Sequence, residues 1–283
     1  RREQSISEIC KMLSISRSTY YRHKNRRANQ QLVVQKVIEL VYRERQKLPR
    51  LGGRKLYYLL QVELKALKVG RDKFFTILRN NHLLIRPKRS YQMTTQSKHH
   101  FRKHRNLITG LSIHRPEQVW VSDITYLGKR DNPMYLALIT DAYSKMIMGF
   151  DVADTLAASS AQAALKKAIK ARRYPQAPLI HHSDGGLQYC CDAYQTQLQQ
   201  ANIRGSMTEV YGPYQYAVAE LINGLLKQEF LSYYPIKNLK EMRRLVADSV
   251  RRYNIYRPHY SCYYYTPEQM HQQDQLKIRT YRS

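Results

Sequence analysis

The stretch PEQVWVSDITYL, residues 116–127, decides the fold of this chain. Apolar and polar residues alternate along it, as they do in a β-strand that is buried on one face. Val119 and Val121, with Ile124, are expected on the buried side. Asp123 falls in the middle of the strand, where a lone carboxylate is unfavourable unless a partner compensates it. The strand therefore predicts both a sheet core and an acidic site upon it.

The residues that follow extend this strand into an α/β domain. Four further elements are predicted: strands over MYLALITD (134–141) and KMIMGFDV (145–152), a helix over 159–171 and a buried strand over 178–182. Three strands in a meander, then a helix and a parallel strand, are the order of the ribonuclease H-like fold. We therefore predict an α/β core of that fold over residues 113–234, a mixed five-stranded sheet with helices on both faces. Residues 235–283 predict a helical extension of the core.

The stretch EVYGPYQYAVAELINGLLKQEF, residues 209–230, predicts a loop followed by a helix. Its expected packing face is apolar: Val218, Leu221, Ile222, Leu225 and Leu226. Glu220, Asn223 and Lys227 fall together on the opposite side at helical spacing. Taken alone, that side is the solvated face of an ordinary amphipathic helix.

Three carboxylates converge in the predicted fold. The centre of the first strand, the end of the fourth strand and a later helix meet at one point, which brings together Asp123, Asp184 and Glu220. Taken alone, Asp184 is more commonly explained as a simple turn residue before two glycines. Three ionised carboxylates repel one another unless a cation lies between them. Oxygen ligands select Mg²⁺ or Mn²⁺, so all three residues are predicted to be catalytic and to bind metal.

The predicted site has two ions about 3.5–4 Å apart. Asp123 would bridge both, while Asp184 and Glu220 would each bind one. Such a site cleaves and transfers strands at a phosphodiester with in-line geometry. Lys227 is expected to hold a DNA phosphate, and Asn223 to brace Glu220 or to contact DNA.

Positive charge is concentrated in the first part of the chain. The formal net charge is +27, and residues 1–110 hold 27 Lys and Arg against 6 Asp and Glu. Such a field indicates a polyanion, most simply nucleic acid. A membrane partner is disfavoured because the sequence has no apolar run of about 18 residues. The four cysteines form no CxxC pair, which fits reduced thiols in a cytoplasm.

Two small helical units are predicted ahead of the core. Residues 1–27 predict a helix-turn-helix whose second helix lies in the DNA major groove, with a structural helical hairpin as the alternative. The side chains predicted to contact DNA are Arg17, Ser18, Thr19 and Arg22. Residues 28–90 predict a second unit of helix-turn-helix type. Residues 91–112 predict a basic linker that lies along phosphates.

Three motifs resemble one known family. WVSDITYL around Asp123, HHSDGGLQY around Asp184 and AVAELINGLLKQEF around Glu220 resemble the retroviral-integrase-like DDE transposases of bacterial insertion sequences. The resemblance is closest to the second-reading-frame (OrfB) product of insertion-sequence family three. The 35 residues between Asp184 and Glu220 match that group's spacing. RYNIYRPHYSCYYYTPEQM, residues 252–270, resembles its closing motif.

The resemblance implies a bacterial, cytoplasmic and nucleoid-associated transposase. It would act on the element's terminal inverted repeats and on target DNA as a homo-oligomer, fused to or joined by an upstream-frame (OrfA) product. The chain departs from the family at Gln215-Tyr216, where Asp-Asn is usual, and at Gly185-Gly186. Two alternatives therefore accompany this hypothesis: a catalytically inactive DNA-binding regulator, and a plain ribonuclease H-like nuclease.

Overall fold

The computed structural model describes residues 5–85, 104–129, 132–208, 213–231, 234 and 238–272 of the 283 residues. The chain divides into two compact units, Arg1–Gln46 with Leu51–Arg86, and Lys47–Arg50 with Pro87–Ser283. Most of the predicted basic linker, residues 91–103, lies outside the described residues. No helix within the described ranges is long and apolar enough to cross a bilayer.

The first unit is entirely helical over its described residues. Its helices are α1 (Ile6–Met12), α2 (Arg17–Lys47), α3 (Gly53–Leu59), α4 (Gln61–Ala66) and α5 (Arg71–Asn80). Ser5 caps α1 in a reciprocal box, since its Oγ accepts from the Glu8 N–H and Glu8 accepts from the Ser5 N–H. Helix α2 continues through the predicted boundary between residues 27 and 28. The division of this unit into two DNA-binding parts stays a prediction.

The second unit is built on a five-stranded sheet. Its elements are β1 (Val119–Lys129), β2 (Asn132–Asp141), β3 (Ile147–Ala153), α6 (Ala158–Lys170), β4 (Leu179–Ser183), α7 (Leu187–Cys190), α8 (Asp192–Gln200), β5 (Ile203–Met207), α9 (Pro213–Leu225), α10 (Leu239–Tyr256) and α11 (Pro267–His271). The strand order is β3-β2-β1-β4-β5. The first three strands are antiparallel, whereas β1, β4 and β5 are parallel. The predicted ribonuclease H-like fold is thereby confirmed.

Each face of the sheet has its own core. Trp120 and Ile139 pack with α6, α7 and α8 on one face, and Ile124 belongs to this cluster. Val119 and Val121 pack on the other face against Ala219 of α9. The expectation that Ile124 shares a face with Val119 is wrong, because an odd spacing in a strand places two residues on opposite faces.

Strand β5 was not predicted as a separate element. Its sequence, IRGSM, carries three small or polar residues and shows no clear alternation. The strand forms because its backbone pairs with β4 over Leu179–Ser183, which is information from outside the segment. Local propensity was overruled by this pairing.

Gly149 lets α6 lie close to β3. A Cβ at this position would lie 2.2 Å from the Ala164 carbonyl oxygen and 2.7 Å from the Ala168 nitrogen. Both atoms belong to backbone, so relief requires the helix to move away from the sheet. We expect Gly149→Ala to lower the free energy of unfolding by about 1–3 kcal/mol, as measured by urea denaturation.

Gly224→Ala is the matched control for that substitution. A Cβ at Gly224 would meet nothing within 4 Å, and alanine is the better helix former. It should leave stability unchanged or raise it by up to about 1 kcal/mol. Equal losses in the two variants would contradict the close packing inferred at Gly149.

Candidate active site

Asp123 and Asp184 lie at the same end of adjacent parallel strands. The paired register of β1 and β4 ends with Val121 opposite His182. Asp123 and Asp184 each come two residues after this last pair. Neighbouring strands lie about 4.8 Å apart, so the register directs both carboxylates to one edge of the sheet. By alternation Asp123 also shares the face of Val121, the face covered by α9.

The pKa of Asp123 shows that the three predicted carboxylates affect one another. Burial first, and then the charges of Asp184 and Glu220, raise this pKa to about 7, against a hydrogen bond from Asn223 that lowers it. The carboxyl thus lies where a negative charge is costly without a counter-ion. The charges of Asp184 and Glu220 therefore act on Asp123, and the shared role of the three carboxylates as metal ligands stays a prediction.

Asp184 also makes the turn that was its alternative interpretation. Its Oδ1 accepts a hydrogen bond of 3.1 Å from the Gly186 N–H. Such a bond closes a short turn directly after β4. One carboxylate oxygen is therefore used to fix the loop, and the residue still faces Asp123 electrostatically. The two interpretations of Asp184 are compatible.

Helix α9 presents different residues to the sheet from those expected. Leu221 is 48% exposed, although it was placed on the packing face, whereas Asn223 is only 4% exposed. Asn223 Nδ2 donates a 2.7 Å hydrogen bond to Asp123 Oδ2. Asn223 was predicted to brace Glu220 or to contact DNA. In the structure it braces Asp123 instead of Glu220. Glu220 itself is exposed on α9.

Lys227 brings a cation to the same place. It lies in a π-helical turn, Leu226–Phe230, that directly continues α9. Burial lowers the pKa of Lys227, while the charge of Asp123 raises it. The predicted contact of Lys227 with a DNA phosphate stays a prediction.

The donor set fits hard divalent ions in kind. The three predicted ligands, Asp123, Asp184 and Glu220, would offer carboxylate oxygens, which are the donors that hard divalent ions prefer. Within the part of the chain that the structure describes, no group of three or more Asp, Glu, His or Cys side chains is placed so that it could hold a metal ion.

Two histidines of β4, His181 and His182, precede Asp184 and were not among the predicted site residues. The His182 ring contacts Ser206 Oγ at 2.9 Å and Thr208 Oγ1 at 3.3 Å. Burial lowers the pKa of His182 to about 4, so the ring is neutral at neutral pH. His181 bonds Ser122 at 2.6 Å on the other face, and burial lowers its pKa to about 3. The His-His pair before Ser183 was the available sequence signal.

The predicted DNA contacts of the first unit lie at the start of α2. Arg17, Ser18 and Arg22 are exposed, and Thr19 is partly buried. Ser16 Oγ accepts from the Thr19 N–H at 3.1 Å and bonds the hydroxyls of Ser18 and Thr19. These hydroxyls therefore help to cap the helix. Their contact with DNA, like that of Arg17 and Arg22, stays a prediction.

The comparisons with known proteins agree with the fold. Residues 113–213 and 201–267 match family descriptions that both read "Integrase core domain". The 31 kDa protein of insertion element IS600 from Shigella sonnei is 31% identical over 262 residues, covering 89% of this chain and 93% of that protein. The transposase of IS629 from Shigella sonnei is 30% identical, covering 90% of this chain and 87% of that protein. The chain belongs to the integrase-core transposases of insertion sequences.

The family is the one predicted from the three acidic motifs. The transposase InsF of IS3A from Escherichia coli K12 is 29% identical to this chain over 276 residues, which cover 94% of each protein. The chain is therefore a DDE transposase, an enzyme of the polynucleotidyl transferase class. The transposase departs from the family pattern at Gln215 and Tyr216, whose side chains lie outside the described part of α9.

Proposed function

We propose that this transposase cleaves and joins DNA strands at the terminal inverted repeats of its insertion sequence. Asp123, Asp184 and Glu220 would hold two Mg²⁺ or Mn²⁺ ions. When bound, such ions activate an attacking water or 3′-hydroxyl and stabilise the leaving 3′-oxygen. The observation that carries the proposal is the register of β1 and β4, which directs Asp123 and Asp184 to the same edge of the sheet, with Asp123 affected by the charges of Asp184 and Glu220.

The remaining side chains of the site orient its groups and bind phosphate in this proposal. The Asn223 N–H holds Asp123 Oδ2 and so fixes the rotation of that carboxylate. Lys227 supplies positive charge beside it for a backbone phosphate of the DNA. Glu220 is exposed and completes the ligand set from the helix side. The basic first unit binds the inverted repeats, with Arg17, Ser18, Thr19 and Arg22 as contacts.

The setting of the reaction follows from the same proposal. The partners are the terminal repeats, target DNA and further copies of the chain, with an upstream-frame (OrfA) product fused or joined to it. The location is the bacterial cytoplasm, at the nucleoid.

The test is a strand-transfer assay with the inverted repeats that flank the coding DNA. Labelled duplexes ending in those repeats are incubated with the protein and Mg²⁺, with scrambled ends and chelator as controls. Joined products that need the correct ends are expected. Binding without any cleavage in Mg²⁺ or Mn²⁺ would indicate the inactive regulator. Hydrolysis without joining or end preference would indicate a plain nuclease.

The Asn223 hydrogen bond makes its own prediction. Asn223→Leu removes the N–H that holds Asp123 and keeps a similar volume. A hydrogen bond to a charged group is worth about 1.5–3 kcal/mol, so strand transfer should fall roughly 10- to 100-fold. Single-turnover rates at saturating DNA measure this effect.

Leu221→Ala is the control on the same helix, since that side chain is 48% exposed. It should keep its single-turnover rate within about threefold of the wild-type value, because it removes no contact to Asp123. If Asn223→Leu were as active as this control, the bracing of Asp123 would be unimportant for the reaction.

A further inference from the structure

The closing motif of the sequence meets the turn that continues the active-site helix through a largely buried ion pair. Arg257 donates from Nε to Glu229 Oε2 and from Nη2 to Glu229 Oε1, both at 2.7 Å. The Arg257 side chain is 1% exposed and the Glu229 side chain 14% exposed. Two parallel bonds between a guanidinium and a carboxylate fix direction as well as distance. This pair therefore constrains how the two segments are oriented.

The sequence of the motif explains how Arg257 reaches its partner. Pro258 follows Arg257, and a residue before proline is driven out of the helical region. Arg257 accordingly has φ −87° and ψ 113°, and α10 ends at Tyr256. The guanidinium leaves the helix end over the ring of Tyr253, 5.7 Å from its centroid. Arg257 is thus held by Tyr253 on one side and by Glu229 at its tip.

Glu229 belongs to the π turn that continues α9. Such turns are uncommon and are often found at functional sites. Leu226 and Phe230, at the two ends of the turn, are buried. Lys227 comes two residues before Glu229, and side chains at this spacing point to different sides of a helical turn. Lys227 interacts with Asp123, whereas Glu229 is directed to Arg257.

We propose that Arg257 is a positioning residue for strand transfer. By holding Glu229 it fixes the π turn, and the π turn fixes the rotation of the end of α9. That rotation sets Lys227 and Asn223 against Asp123. This inference rests on the proposed function, and it assigns the Arg-Pro step of the closing motif a role in the active site.

Two substitutions weaken the pair without removing its bulk. Glu229→Gln keeps the shape and loses the charge. Arg257→Lys keeps the charge and loses the planar fork.

A displacement of about 1 Å at a reacting group costs up to roughly 100-fold in rate, so each variant should lower kcat for strand transfer 10- to 100-fold. The KM for DNA should stay within about twofold, since the first unit is unchanged. The double variant should be little worse than either single variant, because both remove one interaction.

Hydrogen exchange gives a readout that does not depend on activity. In the metal-free protein, both variants should speed amide exchange in peptides covering residues 217–231. Peptides from α6 and from the sheet should exchange as in the wild type. If the wild-type protein does not join strands at all, the failure belongs to the proposed function, and the exchange data still decide whether the pair holds the π turn.

Ser144→Ala is the matched structural control. Ser144 Oγ bonds Asp141 and His271 in a separate buried network of the same unit, and within the described residues it forms no hydrogen bond to α9 or to the π turn. When the two variants are compared at the same loss of Tm, kcat should fall far more in Glu229→Gln than in Ser144→Ala. Equal losses of kcat, or unchanged exchange over residues 217–231, would overturn the proposal.

Discussion

Replacing Asp123 by Asn is expected to lower strand transfer about 1,000-fold while binding to the inverted repeats stays within about twofold. The amide keeps the size of the side chain and an oxygen that accepts from Asn223. It loses the negative charge required of a ligand to divalent ions, whose stabilisation of the transition state is worth several kcal/mol. About 4 kcal/mol corresponds to three orders of magnitude in rate.

The same variant should be more stable than the wild type when divalent ions are absent. The Asp123 carboxylate is disfavoured by burial and by the charges of Asp184 and Glu220, so removing its charge relieves a cost of the folded state. Thermal unfolding in chelator measures this effect. A gain in Tm together with a loss of activity is characteristic of a charged site that folding does not need.

Asp154→Asn is the control for both measurements. Asp154 is an exposed carboxylate just after β3. Its replacement should change neither strand transfer nor Tm appreciably. Full activity of Asp123→Asn with Mg²⁺ would exclude Asp123 as a metal ligand.

Glu117→Ala should produce the largest loss of stability. Glu117 is fully buried and pairs with Arg172 at 3.2 Å, whose side chain is 4% exposed. It also accepts from the Arg173 and Tyr174 N–H groups and contacts His271. Removing one partner of a buried pair leaves an uncompensated charge and costs about 3–5 kcal/mol. A Tm about 10 °C lower follows for a unit of this size.

The pH dependence of this contribution has a definite sign. Burial raises the pKa of Glu117, but the hydrogen bonds from His271, the Arg173 N–H and Arg172 outweigh it and hold the pKa below its usual value. A carboxyl with a lowered pKa stabilises the fold at neutral pH, and this stabilisation is lost as pH falls through the folded-state pKa. Buried Asp141, whose pKa burial raises, acts in the opposite direction. The difference in the free energy of unfolding between the wild type and Glu117→Ala should therefore become smaller as the pH falls.

Asp248→Ala provides the comparison for an exposed pair. Asp248 bonds Arg251 and Arg252 on the surface of α10, with its side chain 37% exposed. Exposed pairs of this kind contribute about 0–1 kcal/mol. A loss at Glu117 no greater than that at Asp248 would contradict the view that the buried network holds the core together.

Much of the fold was predictable because its decisive elements carry local signals. Strands β1 to β4 are indicated by apolar alternation or by apolar runs in the sequence. Helix α6 is indicated by the helical spacing of its apolar residues. Strand β5 carries no such signal, since Arg204, Gly205 and Ser206 become a strand only by pairing with β4. The turn at Asp184 was predicted correctly as local chemistry, and its bond to the Gly186 N–H is seen.

The predictions for α9 failed where they assumed an uninterrupted, independent helix. A helical wheel placed Asn223 outside and Leu221 inside, but Asn223 is 4% and Leu221 48% exposed. Burial of the amide is favoured because Asp123 offers it an acceptor, and a wheel contains no information about such partners. The π turn and its bond to Arg257 likewise depend on a residue 28 positions away.

The sequence by itself determined the class of fold and the basic character of the first 110 residues, and it predicted the three acidic site residues. Each of these depends on composition or on a pattern of residues that are near one another in the chain. Only the tertiary structure decided that Asn223 holds Asp123, that the charge of Asp123 acts on Lys227 and that Arg257 reaches Glu229. These contacts join residues distant in the chain, and their stability comes from burial and hydrogen-bond geometry, which exist only after the strands have paired and the helices have packed.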